Sequence, residues 1–235
     1  MLTIYRADER FTANHGWLHS RFSFSFADYY DPNNMNFGPM RVLNDDIVEP
    51  LRGFGSHPHK EMEIVSIVLE GQLKHEDSTG ESAVTSFGGI QRMTAGTGVI
   101  HSEMNPSKKE AVNFLQMWFL PEKSGLAPSY EKSEFDYRKL KNNLLPVVSS
   151  AHKGDQVAHI HQDLTIYLSD LNRNQKLSFS QKEDRNTFIF VIKGELDIDG
   201  ENLQTRDSAR ITMQTEVNMI ATQDVRFMLI DLPRS

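Results

Sequence analysis

No stretch of this chain sustains a 3.6-residue apolar period long enough to make a helix, whereas short runs with the two-residue period of strands recur along its length. That restricts it to an all-β fold. Residues 21–26 alternate, with Phe22, Phe24 and Phe26 on one face, and residues 63–69 form a β-branched run ended by Glu70-Gly71. Further strands are expected at 73–76, 111–120, 164–168, 187–192, 195–198 and 226–230, most of them separated by Gly, Pro, Asn or Asp turns.

A chain of 235 residues can build one large β domain or two small ones, each with its own core. Two features favour division. Residues 121–146 interrupt the strand rhythm with Pro, Gly and many charges, as a connection between domains does. Ile67-Val68-Leu69-Glu70-Gly71-Gln72-Leu73 and Phe190-Val191-Ile192-Lys193-Gly194-Glu195-Leu196 share an apolar strand, a charged residue, a glycine turn and a second strand, as two copies of one barrel would. The expectation is a barrel over residues 1–134, followed by a linker and a second barrel over 135–235.

Composition narrows the partners. With 38% hydrophobic and 24% charged residues the chain is of ordinary globular type. A formal charge of -7, with no basic block longer than pairs such as Lys108-Lys109, argues against direct nucleic-acid binding or attraction to anionic lipid. The N-terminus lacks a basic, apolar secretory leader and nothing approaches the ~20 apolar residues of a membrane span, so a cytoplasmic protein is expected. The absence of cysteine removes disulfides, iron–sulfur clusters, thiolate zinc and cysteine nucleophiles. Any metal must be held by nitrogen and oxygen.

His57-Pro58-His59 offers two imidazoles two residues apart, which an extended chain points to one face. His101-Ser102-Glu103 repeats the spacing. Two strands carrying such pairs can meet across a barrel interior and supply four donors to one ion, and the glycines of Thr94-Ala95-Gly96-Thr97-Gly98-Val99-Ile100 allow the second strand to approach closely. Burying these side chains is costly unless an ion or hydrogen-bond partner compensates them.

Gly55-Ser56-His57-Pro58-His59-Lys60-Glu61-Met62-Glu63 resembles the first cupin motif, and Gly98-Val99-Ile100-His101 with Asn105 resembles the second. Gly71 falls one place later than the usual cupin glycine, and Gly96 stands where cupins commonly carry Pro. Within that superfamily the chain looks like a pirin of the quercetinase-like bacterial branch, through Asn14-His15-Gly16-Trp17-Leu18, Phe54 to His59, Val68-Leu69-Glu70-Gly71, His75-Glu76-Asp77-Ser78 and Ala95 to Pro106. The resemblance is dense in the N-terminal half and confined to pattern in the C-terminal half. It implies two tandem cupin barrels with metal in the first, bound by His57, His59, His101 and Glu103, and it leaves Glu63, a ligand in many other cupins, unused.

Other residues carry weaker signals. His159-Ile160-His161 is the rival pair, without a downstream partner. His15 and His19 fit a surface or hydrogen-bonding role, and His75 a solvated strand end. The Phe22, Phe24 and Phe26 stripe reads as core. Gln116, two residues from Trp118, is placed to orient a ligand through its amide.

The resemblance further implies a dioxygenase that opens the heterocyclic ring of a flavonol such as quercetin and releases carbon monoxide. Glu103 would take the proton of the flavonol 3-hydroxyl. The cofactor would be one divalent transition metal ion, iron for preference, with manganese, nickel, cobalt, copper or zinc compatible with the donors. The partners would be a small aromatic substrate and dioxygen, and the protein a monomer. Two other readings stand beside this one: a pirin-like metal-dependent regulatory protein without turnover, and a different cupin reaction on a small enolisable molecule.

Overall fold

The computed structural model describes residues 1–234, and nearly all the regular structure among them is antiparallel strand. The helical elements among the described residues are the short 3-10 turns Ala7–Glu9 and Tyr137–Leu140. None is long and apolar enough to cross a membrane. The chain divides into two compact units, one of residues 11–135 and 154–162, the other of residues 1–10, 136–153 and 163–235.

The first unit pairs a large sheet with a small one. The large sheet runs Ser129–Glu134, Gly89–Thr94, Glu63–Glu70, Val112–Phe119, Met40–Val48, Leu18–Phe22 and Phe11–Asn14, and the small one Gly53–His59, Val99–Met104, Leu73–Asp77 and Ser82–Thr85. Their facing sides share cores: Leu73 of the small sheet packs with Val68, Val112 and Phe114 of the large one, and Val99 with Ile64 and Met93. Alternation decides which side chains enter that interior. On Glu63–Glu70 it sends Ile64, Ser66 and Val68 inward and Glu63, Val65 and Ile67 outward.

The second unit repeats the design. Its large sheet includes Leu2–Tyr5, Ser208–Thr212, Arg185–Lys193, Val225–Pro233, Thr165–Leu171 and Leu145–Ser149, and its small sheet runs Lys176–Ser180, Glu216–Ala221, Leu196–Ile198 and Glu201–Leu203. The sequence repeat has a shared physical cause. Gly71 and Gly194 both have positive φ, +75° and +95°, and a Cβ at either would meet backbone: 2.6 Å from the Ala111 carbonyl oxygen in one, 2.1 Å from that of Asp224 in the other. Each glycine closes a hairpin against the start of the strand that pairs with it, Val112–Phe119 or Val225–Pro233. The same turn is built twice, in two cupin barrels. In the second, Leu177 and Phe179 of the edge strand and Val217 and Met219 beside them fill the interior with apolar side chains.

Two expectations change. The strand expected over residues 21–26 ends at Phe22; beyond it Ser23 and Ser25 bond to Leu43 and Asn34 across a loop, and Phe24 is fully buried from that loop. Residues 121–146 are not wholly a break in the rhythm, since Ser129–Glu134 pairs along its full length with Gly89–Thr94. Of the charges there, Glu131 pairs across to Arg92 at 2.9 Å, while Lys132 with Glu134 and Asp136 with Arg138 pair locally.

Candidate metal centre

The strand Gly53–His59 is the edge of the small sheet and pairs with Val99–Met104, so that His57 stands opposite His101 and His59 opposite Val99. An edge strand tolerates Pro58 between the two histidines, because Pro cannot donate to a ladder. The register slips by one residue between His101 and Glu103, where Glu103 faces Phe54. Gly53 makes the close approach possible: a Cβ there would lie 2.1 Å from the Glu103 carbonyl oxygen.

His57, His59 and His101 bring one ring nitrogen each to within 4.8 Å of one another, and among the described residues they form the only such group of metal-ligating type. The Nε2 atoms of His57 and His101 are 3.0 Å apart. Burial, reinforced by the neighbouring imidazoles, lowers the pKa of His101 to about 3 and that of His59 to about 4. Both rings are therefore neutral near pH 7, with lone pairs ready for a cation.

Glu103 lies in the same barrel, 3% exposed, but is not part of the three-imidazole group. Its Oε2 accepts a 2.6 Å hydrogen bond from Gln116 Nε2 and its Oε1 a 3.2 Å bond from Ser66 Oγ. Burial raises its pKa above the usual carboxylate value against the pull of the Gln116 bond. Trp118 Nε1 donates to Gln116 Oε1 at 3.1 Å, which fixes the amide so that its NH2 faces the carboxylate. Gln116 thus bonds to Glu103 through its amide.

His75 corrects the sequence reading. It is 2% exposed, not a solvated strand end, because Tyr130 stacks on it with ring centroids 4.1 Å apart. Its Nε2 lies 2.9 Å from Asp77 Oδ2 and its Nδ1 3.4 Å from His101 Nδ1. Burial pushes the Asp77 carboxyl up, yet hydrogen bonds from His75, Thr79 and Glu81 outweigh it and leave its pKa below the ordinary value. The H-x-D spacing of His75 and Asp77 was the available signal, and it was no different from that of a surface strand.

Glu63 faces away from the imidazoles: its Oε2 accepts from Thr94 Oγ1 and from the backbone N–H of His161, both at 3.2 Å. His161 and His159 pack edge-to-face on that outer side. His15 and His19 belong to the hairpin of Phe11–Asn14 with Leu18–Phe22. The Phe stripe is partly more than core. Phe22 touches Phe26, Phe26 meets Trp118 edge-on at 5.3 Å, and Trp118 meets His59 in the same way at 4.7 Å, so an aromatic wall reaches the histidine cluster.

Three imidazoles converging from two paired strands, with a buried carboxylate nearby, fit a single transition metal ion. Residues 5–119 match the family model Pirin, and residues 147–232 match that of the quercetinase C-terminal cupin domain. The chain is 41% identical over 233 residues to quercetin 2,3-dioxygenase from Escherichia coli (strain K12), covering 99% of each. Among solved structures it aligns with YhhW from Escherichia coli at a TM-score of 0.96 and 40% identity, over 100% of this chain and 99% of that one. It aligns with bacterial pirin YhhW in complex with nickel(II) at 0.94 and 39%, over 100% of both.

Proposed function

The chain belongs to the pirin family, and from that premise we propose that it opens the heterocyclic ring of a flavonol such as quercetin with dioxygen, releasing carbon monoxide. His57, His59, His101 and Glu103 would hold one divalent transition metal ion, iron for preference, with manganese, nickel, cobalt, copper or zinc compatible with the same donors. The observation that carries the reading is the meeting of the three-imidazole cluster with the Trp118 and Phe26 rings. Flat aromatic walls beside convergent polar groups are what a polyphenol requires of a pocket.

The bound ion supplies Lewis acidity toward an anionic oxygen of the substrate. The remaining work falls to side chains. Glu103 takes the proton of the 3-hydroxyl, and the burial that raises its pKa makes it a stronger base than an exposed carboxylate. A carboxylate held by a cation is a weaker base than a free one, so Glu103 would leave the ion to take the proton, with Gln116 and Ser66 as its hydrogen-bond partners. Trp118 combines two tasks, since it walls the site and fixes Gln116.

The test is aerobic incubation of purified, metal-loaded protein with quercetin, following loss of flavonol absorbance and appearance of carbon monoxide. Glu103→Gln should lose turnover by about 10²-fold or more while still binding metal, the scale of a lost general base. His59→Ala should lose metal and turnover together. Undiminished flavonol consumption by either variant, or none by the metal-loaded native protein, overturns the assignment.

A further inference from the structure

Behind His101, on the side away from His57, stand two buried groups that the proposed reaction leaves idle. The side chains of His75 and Asp77 are 2% and 1% exposed. With His101 they form a line: Asp77 Oδ2 lies 2.9 Å from His75 Nε2, His75 Nδ1 lies 3.4 Å from His101 Nδ1, and His101 Nε2 faces His57 Nε2. We propose that Asp77, acting through His75, sets the tautomer of His101 and so aims an unprotonated nitrogen at the metal position. The inference rests on the metal reading above and adds two positioning residues to it.

The argument is one of proton counting. An ionised carboxylate can only accept, so the facing nitrogen of His75, Nε2, must carry its hydrogen. In the neutral form of an imidazole there is one N–H, so a His75 that spends it on Asp77 offers Nδ1 as an acceptor. The nitrogen it faces, Nδ1 of His101, must then be the donor. His101 is left with its lone pair on Nε2, the atom turned toward His57. A ligand ring ordinarily has its second nitrogen fixed by a carboxylate or carbonyl directly. Here a second imidazole stands between, and Tyr130 holds that imidazole flat by stacking on it.

The turn after the strand makes the line directional. Asp77 Oδ1 accepts from Thr79 N at 2.8 Å, Thr79 Oγ1 at 2.6 Å and Glu81 N at 3.3 Å. In Asp77→Asn those three donors require the amide oxygen to occupy the Oδ1 place. The NH2 group is then turned toward His75 Nε2, which must become an acceptor, and each tautomer down the line reverses. His101 would present N–H to the metal position.

Two measurements on the full chain test this. Nitrogen-15 NMR of histidine-labelled, metal-free protein reads the tautomers directly; the native protein should carry hydrogen on Nδ1 of His101 and Nε2 of His75, and Asp77→Asn should reverse both. Calorimetric titration with nickel(II) alone should give a Kd about 10–100-fold weaker for Asp77→Asn, the range for lost support of a ligand ring. His75→Phe, which keeps the ring on Tyr130, should weaken nickel(II) as well. A native His101 with hydrogen on Nε2 overturns the proposal even if no variant folds, and so does native nickel(II) affinity in a folded Asp77→Asn. Failure of the native protein to bind nickel(II) or any other transition metal would instead sink the metal reading, while the tautomers still report on the hydrogen-bonded line.

Discussion

Asp46 sits on Met40–Val48, 2% exposed, with the Ser20 hydroxyl donating to its carboxylate. Burial, with smaller contributions from the charges of Asp45 and Glu103, raises its pKa from 3.8 to about 7. The folded state holds this proton more tightly than the unfolded chain does. Its contribution to stability is therefore fully present below pH 3.8 and is lost as pH rises through about 7. Asp46→Asn mimics the protonated acid, so its melting temperature relative to the native protein should rise between pH 5.5 and pH 8.5; an offset that stays constant across that range would contradict the assignment. Residue by residue, the site was unevenly legible. His57, His59 and His101 announced themselves through spacing that strand geometry converts directly into proximity. His75 did not, because its burial depends on Tyr130, more than fifty positions away in a segment whose charges masked a strand.

At the scale of the element, the strands easiest to read were those with a β-branched or apolar run, such as Glu63–Glu70, Val112–Phe119 and Arg185–Lys193. Met40–Val48 was invisible to alternation. It buries Asn44, Asp45 and Asp46 in succession, so neither face is polar by composition, and hydrogen bonds such as that from Asn113 to Asp45 compensate what propensity would forbid. The strand Gly53–His59 breaks propensity too, with two glycines and a proline, and was legible only through its histidines. Turns make the sharper prediction. Gly194→Ala forces a side chain into left-handed backbone and against the Asp224 carbonyl, and should cost about 1–3 kcal/mol. Urea denaturation would measure it, and an unchanged midpoint would mean that the turn relaxes freely.

For the whole molecule, the strand rhythm and the repeated hairpin disclosed two barrels, but not which unit each segment joins, because that depends on pairing across nearly the full chain. Leu2–Tyr5 pairs with Ser208–Thr212, and Leu2 and Ile4 pack on the second unit's core. Arg6 and the Ala7 N–H satisfy Asp207, which is 4% exposed. Removing residues 1–10 should strip hydrogen-exchange protection from Ser208–Thr212 and cost Asp207 its bonds from Arg6 and Ala7, leaving the Gln204 N–H as a donor to it. Intact protection there after removal would show that the strand is dispensable. The exchange of segments reaches further than stability. The chain passes from one unit to the other at 10/11, 135/136, 153/154 and 162/163, so a gene divided once in the middle encodes two unfinished halves. Recombining first and second barrels between relatives would call for crossovers at all four places, which favours inheritance of the pair as a block.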